Sequence, residues 1–172
     1  MKKSIFVTLL VGLIASTNVF AQKFAFIDTE YILSNISEYT SNQNKIDSKA
    51  KTYQDEIQKA SEDFKKMIED FQAKAKSMNE SQRTKMQETI LQKEQAVMEL
   101  GNKYFGPDGA IEDMKAKLLD PFYDKIYEAS KIIATKEDYA AIIDRATATS
   151  IIFALPQYDI SNEVLAIMGY SK

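Results

Sequence analysis

The sequence predicts a mainly α protein of the α+β class, in which a small β body carries one long antiparallel helical hairpin. Three observations predict it. Ile46, Ala50, Tyr53, Ile57, Ala60, Phe64, Met67 and Phe71 follow one another at alternating spacings of four and three, the seam of a long amphipathic helix. From Leu13 to Leu100 there is neither glycine nor proline; Gly101, Gly106, Pro107 and Gly109 then arrive together. Apolar, β-prone runs lie near the two ends of the chain, so both ends return to one body and the helices between them are an excursion.

Residues 1–21 read as a secretory leader cleaved after Ala21. Lys2 and Lys3 precede the short apolar run Ile5–Ala15, and Val19-Phe20-Ala21 supplies a small-residue cleavage pattern. The run falls short of the roughly 20 apolar residues a transmembrane helix needs. The mature chain then starts at Gln22.

Lys23–Asp28 (KFAFID) alternates Phe24 and Phe26 with Ala25 and Ile27 and is expected to form a short strand, apolar on both faces. Asp28 or Thr29 is placed to cap a helix starting near Glu30. Ser34–Asn44 is polar and poor in helix formers, so irregularity is expected there. The hairpin is assigned to residues 46–104, with its tip at about 77–82, where SMNESQ interrupts the seam and Ser81 is expected to cap the returning helix. Met78 belongs to the first seam; Met86, Ile90, Val97, Leu100 and Tyr104 continue it on the return. Leu91, Met98 and Phe105 repeat every seventh residue beside it.

Gly106-Pro107-Asp108-Gly109 suits a type I turn, with Pro second and Gly fourth. Gly106, Pro107 and Gly109 are therefore read as the joint between arm and body. A phosphate-cradling loop is a poor reading, because no strand precedes the glycines and the Lys-Ser/Thr of such loops is missing. Asp120-Pro121 marks a kink or a new helix capped by Asp120. Tyr139–Ile143 and Ser150–Leu155 are expected to be strands that pair with each other and with KFAFID. Ser161 is expected to cap a last helix that Gly169 stops. The body thus comprises residues 22–45 and 105–172.

Composition narrows the chemistry. The chain has no histidine, cysteine or tryptophan, which excludes His/Cys zinc sites, Ser-His-Asp triads and thiol nucleophiles. No cofactor or metal is expected. Without the two leader lysines, 20 basic side chains face 25 acidic ones, a balance that argues against a nucleic-acid partner. Around the tip the sign reverses: Lys74, Lys76, Arg83, Lys85 and Lys93 outnumber Glu80 and Glu88. A basic tip suits transient contact with an anionic membrane surface, and equally a plain solvated helix end.

Three stretches resemble the Skp/OmpH family of exported chaperones in its Bacteroidetes-type form: KFAFIDTEYILSNISEY, KYFGPDGAIEDMKAKLLDPFYDKIYEA and IIDRATATSIIFALPQYDISNEVL. The resemblance spans nearly all of the mature chain. It implies a jellyfish-shaped homotrimer in the periplasm, whose tentacles hold unfolded outer-membrane proteins without ATP. It also implies traffic between the inner-membrane translocon and the outer-membrane insertion machinery. The chain departs from the family's best-known members in being acidic, in having Asp138 where relatives usually have Gly, and in having Ser37 where they often have Pro. Asp138 can still adopt the left-handed conformation a glycine would supply.

Candidate trimer-interface residues are Phe24, Phe26, Ile142, Ile143, Ile151 and Phe153, because three short strands leave edges and apolar faces that call for partners. Candidate client-contact residues are Tyr53, Phe64, Met67, Phe71, Met78, Met86, Leu91 and Met98, large or adaptable side chains along the stripe. Any one seam residue is more simply explained by packing between the two helices, and the stripe-edge residues Leu91 and Met98 are the better candidates. Two other readings remain. One is a structural or adaptor coiled coil of the cell envelope whose seam is satisfied internally. The other is a hydrolase using paired carboxylates such as Glu112 and Asp113, or Asp120 and Asp124, which nothing in the sequence places in a pocket.

Overall fold

Strands β1 (Lys23–Ile27) and β2 (Tyr139–Asp144) lie far apart in the chain and pair in parallel. They appear in a computed structural model that describes residues 22–148 and 150–170; the leader expected at residues 1–21 lies outside the described residues. Between the strands run α1 (Thr29–Ser34), α2 (Ser37–Lys74), a 3₁₀ turn (Ala75–Ser77), α3 (Glu80–Phe105), α4 (Ala110–Leu118) and α5 (Asp120–Glu137). After β2 come a second 3₁₀ turn (Pro156–Tyr158) and α6 (Ser161–Ile167).

The register sets Ala25 beside Ile142, Phe26 beside Ile143 and Ile27 beside Asp144. Partners in a register share a face, so the sheet has two unlike sides. Ala25 and Ile27 are buried in one core with Ile32, Leu33 and Ile36, with Phe122, Ile126, Ala129 and Ile133 of α5, and with Ile160, Val164 and Leu165. Truncating the fully buried Ile32 to alanine should therefore cost about 2–5 kcal/mol. The other side, bearing Phe24, Phe26 and Ile143, is left partly open.

The closing strand expected at Ser150–Leu155 is not formed. Among the described residues, β2 pairs with β1 alone, and the other flank of β1 meets only an isolated bridge at Asp159. A strand exists only where another backbone supplies its ladder bonds, and among the described residues this segment finds none. Pro156 also removes a donor and opens a 3₁₀ turn.

The helices follow the sequence closely, with corrections at the caps. Asp28 caps α1, its Oδ1 accepting from the Tyr31 amide at 2.9 Å. The irregularity expected over Ser34–Asn44 is confined to Asn35 and Ile36; from Ser37 onward α2 is continuous for 38 residues, about 57 Å at 1.5 Å each. Asn79, not Ser81, caps α3. Its side chain accepts from the Gln82 amide while Gln82 answers to the Asn79 amide, a reciprocal box that outcompetes a lone serine. The Asp120-Pro121 step does begin a new helix, but Leu119 takes the cap position. Ser161 opens α6 without capping it; Asp159 Oδ1 accepts from both the Ser161 amide and its hydroxyl.

Candidate functional site

The hairpin carries a long apolar seam flanked by exposed apolar side chains. Helices α2 and α3 pack on each other, and their near ends also pack on α4. Along α2 every expected seam residue from Ala50 to Phe71 is half-buried, as are Met78, Met86, Ile90, Val97 and Leu100. Two helices cannot enclose a seam by themselves, because no third helix covers its flanks, so apolar surface remains reachable along the arm. Beside the seam, Leu91 is 59% exposed and Met98 56% exposed, and Phe105 continues the same line. Near the tip, Phe71, Ile90 and Leu91 help line an open depression of about 520 Å³ across the two helices.

Where the arm meets the body the seam closes on aromatic rings. Tyr53 and Tyr104 stack with ring centroids 3.8 Å apart. The Tyr104 hydroxyl donates to Glu56 Oε2 at 2.5 Å, and that hydrogen bond raises its pKa, burial adding to the effect. Tyr53 is thus the one proposed client contact already paired with another aromatic ring. Asn42, buried in α2, donates to the Leu118 carbonyl at 3.1 Å, where the α4–α5 break leaves that carbonyl available. Tyr39 packs edge-on to Phe122; burial, with the nearby Tyr123 phenol adding to it, pushes its pKa up to about 12.

The joint is built as a turn: the Gly109 amide donates to the Gly106 carbonyl at 2.9 Å. Gly106 ends α3, its amide donating to Asn102 O at 2.8 Å. Neither glycine has a positive φ. What each needs is the missing Cβ, which at Gly106 would lie 2.4 Å from Asn102 O and at Gly109 2.8 Å from the Gly106 nitrogen.

At the tip, Arg83 turns inward. Its Nη2 donates to the carbonyls of Ala75 and Met78 at 3.3 Å each, holding the last turn of the outgoing helix. Sequence reasoning counted Arg83 only as one of the basic groups of the tip; its place one turn into α3 was the available clue.

The body's candidate interface residues are divided between the two sides of the sheet. Phe24, Phe26 and Ile143 share the open side, whereas Ile142 packs against the core on the other. In the closing segment, Ile151 is half-buried, Ile152 100% exposed and Phe153 75% exposed.

A polar knot at the strand ends escaped sequence reasoning altogether. The Thr29 hydroxyl and amide donate to Asp144 at 2.8 and 3.1 Å, and the Asp28 amide donates to Ser161 Oγ at 2.9 Å. Arg145 lies 3.3 Å from both Asp28 and Asp159. The knot ties β1, β2 and α6 together. The carboxylates considered for hydrolysis do not converge: Glu112 and Asp113 pair with Lys115 and Lys117 on an exposed helix, and Asp120 and Asp124 are exposed on α5. No helix among the described residues is long and apolar enough to cross a membrane.

Comparison with known proteins agrees with this arrangement. Residues 23–168 match the family model described as outer membrane protein (OmpH-like). No curated protein matches significantly. Among solved structures, a crystal structure from Caulobacter crescentus CB15, named for an OmpH-like outer membrane chaperone, is similar in fold. It is 13% identical with a TM-score of 0.62, over 86% of this chain and 84% of that one.

Proposed function

The chain belongs to the OmpH-like outer membrane protein family, and on that premise we propose that it is an ATP-independent holdase for unfolded outer-membrane β-barrel precursors in the periplasm. The observation that carries this reading is the exposed line Leu91–Met98–Phe105 beside a half-buried seam. Such a surface is apolar enough to hold an unfolded chain and, being rich in flexible side chains, adaptable to many sequences.

The working form is a homotrimer, with the leader removed after Ala21. The open side of the sheet and the closing segment supply the interface, and cyclic closure of three copies sets three arms around a shared cavity. Delivery to the outer-membrane insertion machinery, and a brief touch of Lys74, Lys76 and Lys85 on an anionic membrane surface, belong to the same reading.

The test combines sedimentation with an aggregation assay. The mature protein should sediment as a trimer and keep a denatured β-barrel protein in solution without nucleotide. Replacing Leu91, Met98 and Phe105 together with serine should lower that protection several-fold and leave the trimer intact. Full protection by the triple variant would remove the stripe from the mechanism. A trimer that protects nothing would favour the adaptor coiled coil instead.

A further inference from the structure

The chain contains no cysteine, histidine or tryptophan, so the methionine thioethers are its most readily oxidised groups. Among the described residues their surroundings differ. Met67, Met78, Met86, Met114 and Met168 are half-buried, whereas Met98 is 56% exposed. Met98 stands on α3 seven residues from Leu91 and seven from Phe105, so the three share one face at intervals of about two turns. Among the described residues it is thus the methionine most open to a dissolved oxidant, and it is also the centre of the exposed apolar line.

Oxidation at this position changes the line without entering the interior of the fold. The Met98 side chain already stands largely in solvent, so an added oxygen displaces no packed neighbour. At the half-buried seam positions the same oxygen would have to enter the packing between α2 and α3. A thioether is apolar and flexible; a sulfoxide is polar and chiral, and its oxygen accepts hydrogen bonds. Water satisfies that acceptor and an apolar segment laid over it does not, so covering an oxidised Met98 is unfavourable.

We propose that Met98 is an oxidation site through which a peroxide-class oxidant turns down the holding of apolar segments along α3. The sulfur attacks one peroxide oxygen; the O–O bond breaks, an S–O bond forms, and the second oxygen leaves as water with both protons. Sulfur gives up two electrons and the peroxide takes them. A thiol-dependent methionine sulfoxide reductase reverses the change, two thiols becoming a disulfide while the sulfoxide oxygen leaves as water. This inference rests on the holdase reading and adds a control to it.

Hydrogen peroxide is the probe. In the mature protein treated with graded peroxide, peptide mass spectrometry should find Met98 gaining one oxygen before any other methionine. Protection of a denatured β-barrel protein, assayed after the peroxide is removed, should fall several-fold in step with that modification. It should return on treatment with reductases for both sulfoxide epimers, and circular dichroism should show the helices intact throughout. Met98→Gln, which puts a polar group at the same place, should protect several-fold less than the parent with no oxidant present. In Met98→Leu, which has no sulfur there, whatever protection the variant gives should be the same before and after treatment. Faster oxidation of another methionine overturns the inference. So does full protection by protein oxidised at Met98, an equally steep loss in Met98→Leu, or helices that melt on oxidation. In each of these cases the untreated protein still protects and the holdase reading stands; an untreated protein that protects nothing overturns both.

Discussion

Tyr53 and Tyr104 lie face to face, their centroids 3.8 Å apart and their planes 10° from parallel, at the root of the projecting hairpin. The pair joins the outgoing helix to the last turn of the returning one, and Glu56 holds the Tyr104 hydroxyl in place. An aromatic clasp and the turn that follows it thus both stand between the arm and the body.

Removing the clasp should loosen the arm. Tyr104→Ala should lower stability by about 3–5 kcal/mol, as truncation of a large buried aromatic does. Tyr104→Phe keeps the stack and loses only the bond to the solvent-exposed carboxylate, so its loss should be clearly the smaller. Thermal unfolding of the two variants separates stacking from hydrogen bonding; equal losses would show that the stack contributes little.

Gly106→Ala should disrupt the joint by steric contact with the backbone. The added Cβ meets Asn102 O at 2.4 Å, so the cap bond from Gly106 must stretch or break. Small-angle scattering should register a changed arm angle, and stability should fall by about 1–3 kcal/mol. An unchanged scattering profile would mean that the turn does not set the angle.

Two substitutions should stabilise the protein. Asp138 has φ 57 and ψ 44, in the left-handed region, where glycine bears no Cβ penalty; Asp138→Gly should gain about 0.5–1 kcal/mol. Ser37 is the first residue of α2, preceded by an extended Ile36. Proline fits that position and restricts the unfolded chain, so Ser37→Pro should gain about 0.4–1 kcal/mol. Urea midpoints of the two variants, expected to rise without a change in slope, are the check.

Alkali should weaken the fold through Tyr39. Its folded pKa of about 12 stands above the ordinary 10.0, so the folded state holds the proton more tightly than the unfolded chain. That contribution is full below pH 10 and is lost as pH rises from 10 through about 12. Spectroscopic titration should show a late-ionising phenol that disappears in Tyr39→Phe. A Tyr39→Phe protein that loses stability across this window as steeply as the parent would point to other groups.

Much of the arm was legible because its signals are local. Heptad spacing, the breaker-free run and the Gly-Pro-Asp-Gly cluster each act over a few turns of chain, and α2, α3 and the joint lie where they point. The left-handed Asp138 was foreseen only through the family resemblance, which sets a glycine at that position in relatives; nothing in the residues around it announces the conformation. The cap at Asn79 was missed although its partner Gln82 stands three residues on; competition between neighbouring cap residues is settled by which pair closes its bonds. The Thr29–Asp144 bonds and the Arg145–Asp28 bridge were not legible, because they join residues that only folding brings together.

The amino-acid sequence by itself determined a long helical arm, the turn at its root, and strands near the two ends of the chain, because periodicity and backbone restriction are properties of short stretches. Tertiary structure decided that β1 and β2 run parallel, that Ile142 faces the core while Phe24, Phe26 and Ile143 face outward, and that residues 151–155 find no strand partner among the described residues. A strand's pairing, and the side on which each residue then falls, depend on a distant backbone and its register. A slip of one residue there would reverse every face.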